Sequence, residues 1–348
     1  MDPVDPIALA RQLIDIDSTT GREGEAARVL AGYLRGRGYS VLEQPLDSDA
    51  PGARGGPEDR INVIAAVGEP ALVFSTHIDC VPPFFPSRLE GGVLHGRGAC
   101  DAKGILAAQV AAAERLRARG ETRVGLVFVA GEERGSEGAA AANRIASRSR
   151  YLINGEPTDN RLGAATRGVL RVRLTTRGVA AHSGYPSLGR SAIEILIDVL
   201  VSLRSADWPE DAVLGRTHYT VGLIAGGVAP NVVPAHASAE VLFRTVGAHD
   251  EVRAVLADTV GARAEIQDVL EVPPVRLDTR DGYESAVFAY TTDIPLLGNW
   301  GTPLLLGPGS IHVAHTDHEH VRVDELLAAV DLYDRLASAL LAELDGPR

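Results

Sequence analysis

The sequence predicts an α/β fold in which a mostly parallel sheet is interrupted by an inserted two-layer α+β unit of ferredoxin-like order. Three observations predict it. Short apolar runs, Ala71-Leu-Val-Phe-Ser-Thr, Val124-Gly-Leu-Val-Phe-Val-Ala and Tyr151-Leu-Ile-Asn, read as buried strands separated by helical segments. After Arg167 the segment Arg171-Val-Arg-Leu-Thr alternates polar and apolar residues, as a strand with one wet face does. Beyond about Pro274 the α/β pattern resumes, so the 348 residues divide into 1–166, 167–274 and 275–348, with the middle part inserted into the larger domain.

Each element has a local reason. Asp5 is placed as an N-cap with Pro6 at the first helical position, and Leu9, Leu13 and Ile16 fall on one face of the helix that follows. A second helix follows Thr20, with Glu23 placed as in a capping box, and ends near Gly36 and Gly38. The stretch from Pro45 to Arg60 is rich in Pro, Gly and Asp and reads as a loop. Strands at Val63 to Val67 and Leu72 to Ser75, a helix from Gly104 to Arg119 and the strand from Val124 complete the first part. The inserted part reads strand, helix (Ala192 onward), strand (Tyr219 to Ile224), strand (Ala237 to Thr245), helix (Asp250 to Val260), strand (Ala264 to Leu270). A helix from Asp324 closes the chain.

Composition narrows the function. A chain that is 45% hydrophobic and 23% charged is globular, and its net charge of −12 argues against nucleic acid or an anionic membrane as partner, since either needs a cationic face. No segment approaches the ~20 apolar residues that span a bilayer, and the opening Met1-Asp-Pro-Val-Asp is acidic where a secretory signal is basic, so the expectation is cytoplasmic. With only Cys80 and Cys100, a disulfide framework and a Cys-rich zinc site are both excluded.

Polar residues then gather at the strand ends, where open α/β sheets bind ligands. His77 ends one buried run, and Asp79, two residues on, is placed to accept its second ring N–H. Glu132 and Glu133 sit side by side after another run; the pair repels unless a cation is near, and one acid can bind metal while its neighbour handles protons. Glu156 follows the third run, in Asn154-Gly-Glu-Pro-Thr. The turn Gly96-Arg-Gly-Ala-Cys-Asp101-Ala-Lys-Gly104 is not a dinucleotide fingerprint, because Asp101 stands where its third glycine belongs. Asp101 suits a helix cap and a metal-bridging carboxylate equally. Gly307 to His320 holds His312, His315, His318 and His320, four of the ten histidines.

Taken in order, Thr76-His-Ile-Asp79, Gly96 to Gly104, Gly131-Glu-Glu133, Gly155-Glu-Pro-Thr158, Ala181-His-Ser183, Gly226 to Pro234 and Ala314-His315-Thr resemble the dinuclear-zinc aminoacylase and carboxypeptidase family, over nearly the whole chain. That family includes acetylornithine deacetylase, succinyl-diaminopimelate desuccinylase, aminoacylase and glutamate carboxypeptidase. The resemblance implies a zinc-hydrolase domain with an inserted lid and dimerisation domain. It implies two zinc ions, with cobalt or manganese as substitutes, bridged by Asp101, His77 and Glu156 completing one site and Glu133 and His315 the other. It makes Glu132 the general base with Asp79 beside the catalytic groups, His182 and Asn231 the carbonyl-stabilising groups and Arg244 the grip on a substrate carboxylate. The implied activity is removal of an acyl group from an N-acyl amino acid, most like acetylornithine deacetylase, by a homodimer; a dipeptidase, a carboxypeptidase, a desuccinylase and a non-catalytic metal-binding paralogue are the alternatives. His312, His318 and His320 stand where the family carries other residues, which leaves a further ligand or a third metal open.

Overall fold

The Asp5 carboxylate accepts hydrogen bonds from the Ile7 and Ala8 amides (2.9 and 3.1 Å) in the computed structural model, which describes residues 2–46 and 60–346, and so starts the helix Pro6–Ile14. The second helix, Gly24–Gly36, lacks the expected capping box. Glu23 turns back to accept the Gly21 amide at 3.0 Å, and the Thr20 hydroxyl donates to distant Asp79 at 2.8 Å, so neither side chain caps the helix. The loop expected from Pro45 to Arg60 lies, at residues 47–59, outside the described residues.

Among the described residues the chain separates into two compact units, one of Met1–Ala164, Leu277–Ala286 and Thr292–Arg348, the other of Ala165–Arg276 and Val287–Thr291. In the first, six strands lie in the order Ser40–Pro45, Ile61–Ala66, Val124–Val129, Leu72–His77, Tyr151–Asn154, Thr302–Leu305. The first two pairings are antiparallel and the other three parallel. Leu72, Phe74, Leu126 and Phe128 face the core that also holds the helices Pro6–Ile14, Gly24–Gly36, Lys103–Ala118 and Val323–Asp345. Val73, Val127 and Val129 face a smaller core with Leu297 and Trp300. Both faces of the central strands are therefore covered, which is why their sequences are unbroken apolar runs rather than alternating ones.

The second unit is a four-stranded antiparallel sheet, ordered His218–Gly226, His236–Thr245, Gly168–Arg177, Glu265–Val272, with helices Ala192–Ser202 and His249–Val260. Leu170, Val172 and Leu174 pack on Leu196, Val199, Val252 and Leu256, while Arg173 points to solvent, which explains the alternation along this strand. No helix among the described residues is long and apolar enough to cross a membrane.

Candidate metal centre

Parallel pairing brings the ends of three strands of the first unit to one edge. His77 is the last residue of Leu72–His77; Glu132 and Glu133 follow Val124–Val129; Glu156 follows Tyr151–Asn154; and His315 comes in the loop after Thr302–Leu305. Asp101 is supplied by the turn before the helix Lys103–Ala118. That helix has no side-chain cap bond, so Asp101 is free of the capping role that the sequence left open for it.

The five residues form two triads with one member in common. Donor atoms of His77, Asp101 and Glu156 lie within 4.8 Å of one another, as do those of Asp101, Glu133 and His315. One carboxylate oxygen of Asp101 is 2.9 Å from His77 Nε2 and the other is 3.3 Å from His315 Nε2. His315 Nε2 also lies 3.0 Å from Glu133. His315 reaches this position from a left-handed backbone conformation, φ 63°. Nitrogen and carboxylate donors in two sets sharing one carboxylate fit a pair of divalent cations. His312, His318 and His320 join no such group among the described residues; His320 instead pairs in register with His95, and its Nδ1 lies 2.7 Å from the His318 carbonyl.

Supporting contacts hold these donors. His77 Nδ1 donates to the Asp79 backbone carbonyl (2.9 Å), which leaves Nε2 as the nitrogen with a lone pair. The Asp79 carboxylate is farther from that nitrogen, 3.5 Å, and does more for the neighbouring loop: it accepts the amides of Gly131, Glu132 and Glu133 (3.0, 3.1 and 3.2 Å). Sequence reasoning missed a second clamp. Glu319, fully buried, accepts the amides of Gly98, Cys100 and Asp101 (2.9, 3.2 and 3.1 Å) and pairs with buried Arg97 at 2.5 Å. Its one sequence signal is its place four residues after His315. Asp293, also buried, was likewise not legible.

The electrostatics are those of a cation site. Burial, followed by repulsion from Glu156, pushes the Glu132 carboxyl well above its ordinary range. Burial also raises Glu156, and raises Glu133 to about 6 with Asp101 adding to it. Asp293 is raised to about 6 by burial. Burial opposes charge on His77, yet hydrogen bonds to Asp101 and Asp79 raise it; Asp101 and Glu133 together raise His315 to about 10. Asp101 is held below the usual carboxylate range by His315 and His77 in spite of burial. Glu132, whose proton affinity is raised by burial, thus lies beside the two donor triads.

The other expected site residues lie in the second unit. His182 is exposed, on a two-residue strand paired with Val232–Val233, and its Nδ1 accepts the Gly184 amide at 3.1 Å. The Asn231 carbonyl accepts the Ser183 amide at 3.0 Å, which fixes Asn231 beside His182. Arg244 is half-buried near the end of the strand His236–Thr245.

Residues 73–339 match the family model for peptidase family M20/M25/M40. A peptidase M20 domain-containing protein of Schizosaccharomyces pombe is 37% identical over 340 residues, 95% of this chain and 83% of that one. A probable carboxypeptidase of Aspergillus terreus is 37% identical over 375 residues, 96% of this chain and 86% of that one. Aminopeptidase PepT from Bacillus cereus shares the fold with a TM-score of 0.75, at 21% identity, over 94% of this chain and 96% of its own.

Proposed function

Because the chain belongs to peptidase family M20/M25/M40, and so is a metal-dependent hydrolase of amide bonds, we propose that it releases a free amino acid from an amide on that residue's amino side. The bond is that of an N-acyl amino acid or of the last peptide bond in a short peptide. The observation that carries this reading is the pair of donor triads sharing Asp101, with Glu132 beside them.

In this reading His77, Asp101 and Glu156 would hold one divalent ion, zinc in the proposal, and Glu133 and His315 would hold a second, with Asp101 common to both. Bound there, the ions supply Lewis acidity, polarising the scissile carbonyl and lowering the pKa of the attacking water. Glu132 takes the proton from that water and returns it to the leaving nitrogen. Asp79 keeps Glu132 in place through its backbone amide. His182, with Nδ1 accepting from Gly184, keeps its Nε2–H free to donate to the carbonyl oxygen as negative charge grows, and Asn231 assists it. Arg244 grips the α-carboxylate with its planar fork.

The names of the relatives favour a carboxypeptidase-type substrate; acetylornithine deacetylase, dipeptidase and desuccinylase are the neighbouring readings, with the same chemistry at the bond. The chain acts, in the same proposal, as a homodimer through the second unit. Supporting this, the sheet's edge strand and the turn after it expose Leu223, Ile224 and Val228 at 64, 65 and 88%. Two free, buried thiols suit a reducing, cytoplasmic setting.

The test is hydrolysis of a panel of N-acetyl and N-succinyl amino acids and dipeptides by zinc-loaded, chelated and reloaded protein, with Glu132→Gln alongside. Chelator-sensitive turnover, lost in the variant while its metal is retained, is expected. A loaded protein that leaves every panel member intact contradicts the proposal, and a strictly monomeric, fully active enzyme in light scattering contradicts the dimer.

A further inference from the structure

Arginines of the second unit are mostly neutralised in place. Arg173 pairs with Glu240, Arg216 with Asp207, Arg276 with Asp211, and Arg253 with Asp250, Asp268 and Glu271. Two are not. Among the described residues, the Arg244 side chain makes no hydrogen bond or ion pair, and Arg167 meets no carboxylate. These two lie together. Arg244 stands opposite His218 in the register of adjacent strands, and Arg167 Nη1 is 2.5 Å from His218 Nδ1. Arginine only donates, so Nδ1 is the acceptor and His218 is neutral, with its remaining proton on Nε2. Burial lowers the proton affinity of both Arg244 and His218, and neighbouring guanidinium charge lowers it further: Arg167 at Arg244, both arginines at His218.

Two partly buried guanidiniums and a neutral donor imidazole, gathered without an acid in a chain of net charge −12, offer only donors and suit an external anion. One carboxylate fills one planar fork. We propose that Arg167, His218 and Arg244 form a dicarboxylate-binding site, so that the amino acid released is acidic, of the aspartate or glutamate class. This rests on the reading of Arg244 as the α-carboxylate grip and extends it to the side chain of the substrate. A cationic side chain such as that of ornithine meets the same two arginines and is repelled.

The experiment compares N-acetyl-L-glutamate with N-acetyl-L-glutamine, which have the same shape and differ in charge. It uses metal-loaded wild type, Arg167→Gln and Arg167→Lys, with calorimetric binding of L-glutamate and L-glutamine measured in parallel. Wild type is expected to favour the acid by at least about tenfold in KM and in product binding, as one charge-assisted hydrogen-bond pair provides. Arg167→Gln shrinks that ratio to about twofold, and Arg167→Lys restores part of it. Equal handling of acid and amide by wild type, or a ratio unchanged in Arg167→Gln, overturns the inference. If no panel compound is hydrolysed, the proposed reaction fails, while the glutamate-to-glutamine binding ratio still decides the site.

Discussion

Replacing Glu319 should loosen the turn that carries Asp101. Its carboxylate accepts three amides, those of Gly98, Cys100 and Asp101, and balances the Arg97 guanidinium, both side chains being 1% exposed. Glu319→Ala leaves a buried cation alone, which costs about 3–5 kcal/mol. It also strips partners from three amides, at ~1–3 kcal/mol for each that water does not reach. Since a domain holds only about 5–15 kcal/mol of net stability, that variant approaches unfolding. Glu319→Gln is the usable perturbation: it keeps one oxygen for the amides and removes the charge facing Arg97, for an expected loss of ~3 kcal/mol. Urea unfolding of metal-loaded protein measures it, with weaker metal retention expected as Asp101 loosens. Adding Arg97→Met to Glu319→Gln should recover part of the loss, because the uncompensated charge is then gone. A Glu319→Gln protein within about 0.5 kcal/mol of wild type, with unchanged metal affinity, would refute the reasoning.

Three further outcomes are expected. Metal uptake should release protons: His315, raised to about 10 in the metal-free protein, must be neutral to bind, so affinity climbs as pH rises from neutrality toward 10. Below about 6 the Glu133 proton must also leave, which steepens the fall; pH-stat titration with zinc checks this, and proton-free uptake at neutral pH would contradict it. His182→Ala should lower kcat about 10²–10³-fold if it donates to the developing oxyanion; steady-state kinetics on any accepted substrate decide, a change confined to KM counting against the role. Phe74→Ala, at a fully buried position of the large core, should cost about 3–5 kcal/mol in denaturant unfolding without changing the number of metals bound.

Much of the candidate site was legible because parallel strands advertise themselves. The runs ending at His77, before Glu132 and before Glu156 are apolar on both faces, so the first polar residue after each has to emerge at one edge of the sheet. The order of the inserted unit was legible for the opposite reason, since its wet face imposes alternation. What the sequence hid were long-range polar contacts. Nothing local distinguishes Glu319 or Arg97 from solvated charges, because their burial depends on a partner 222 residues away. Asp79 was read as the carboxylate partner of His77, yet its backbone carbonyl takes that role while its carboxylate clamps residues 131–133, and Glu23 looked like a capping-box acid until Gly21 claimed it. The meeting of Arg167 with His218, 51 residues apart along the chain, was equally invisible.

The central claim, two cations sharing Asp101, is tested most directly by counting divalent metal per chain at saturation in wild type and in Asp101→Ala. Two ions per wild-type chain, and loss of both in the folded variant, are predicted. Fewer than two in wild type, or two retained without Asp101, would contradict the account.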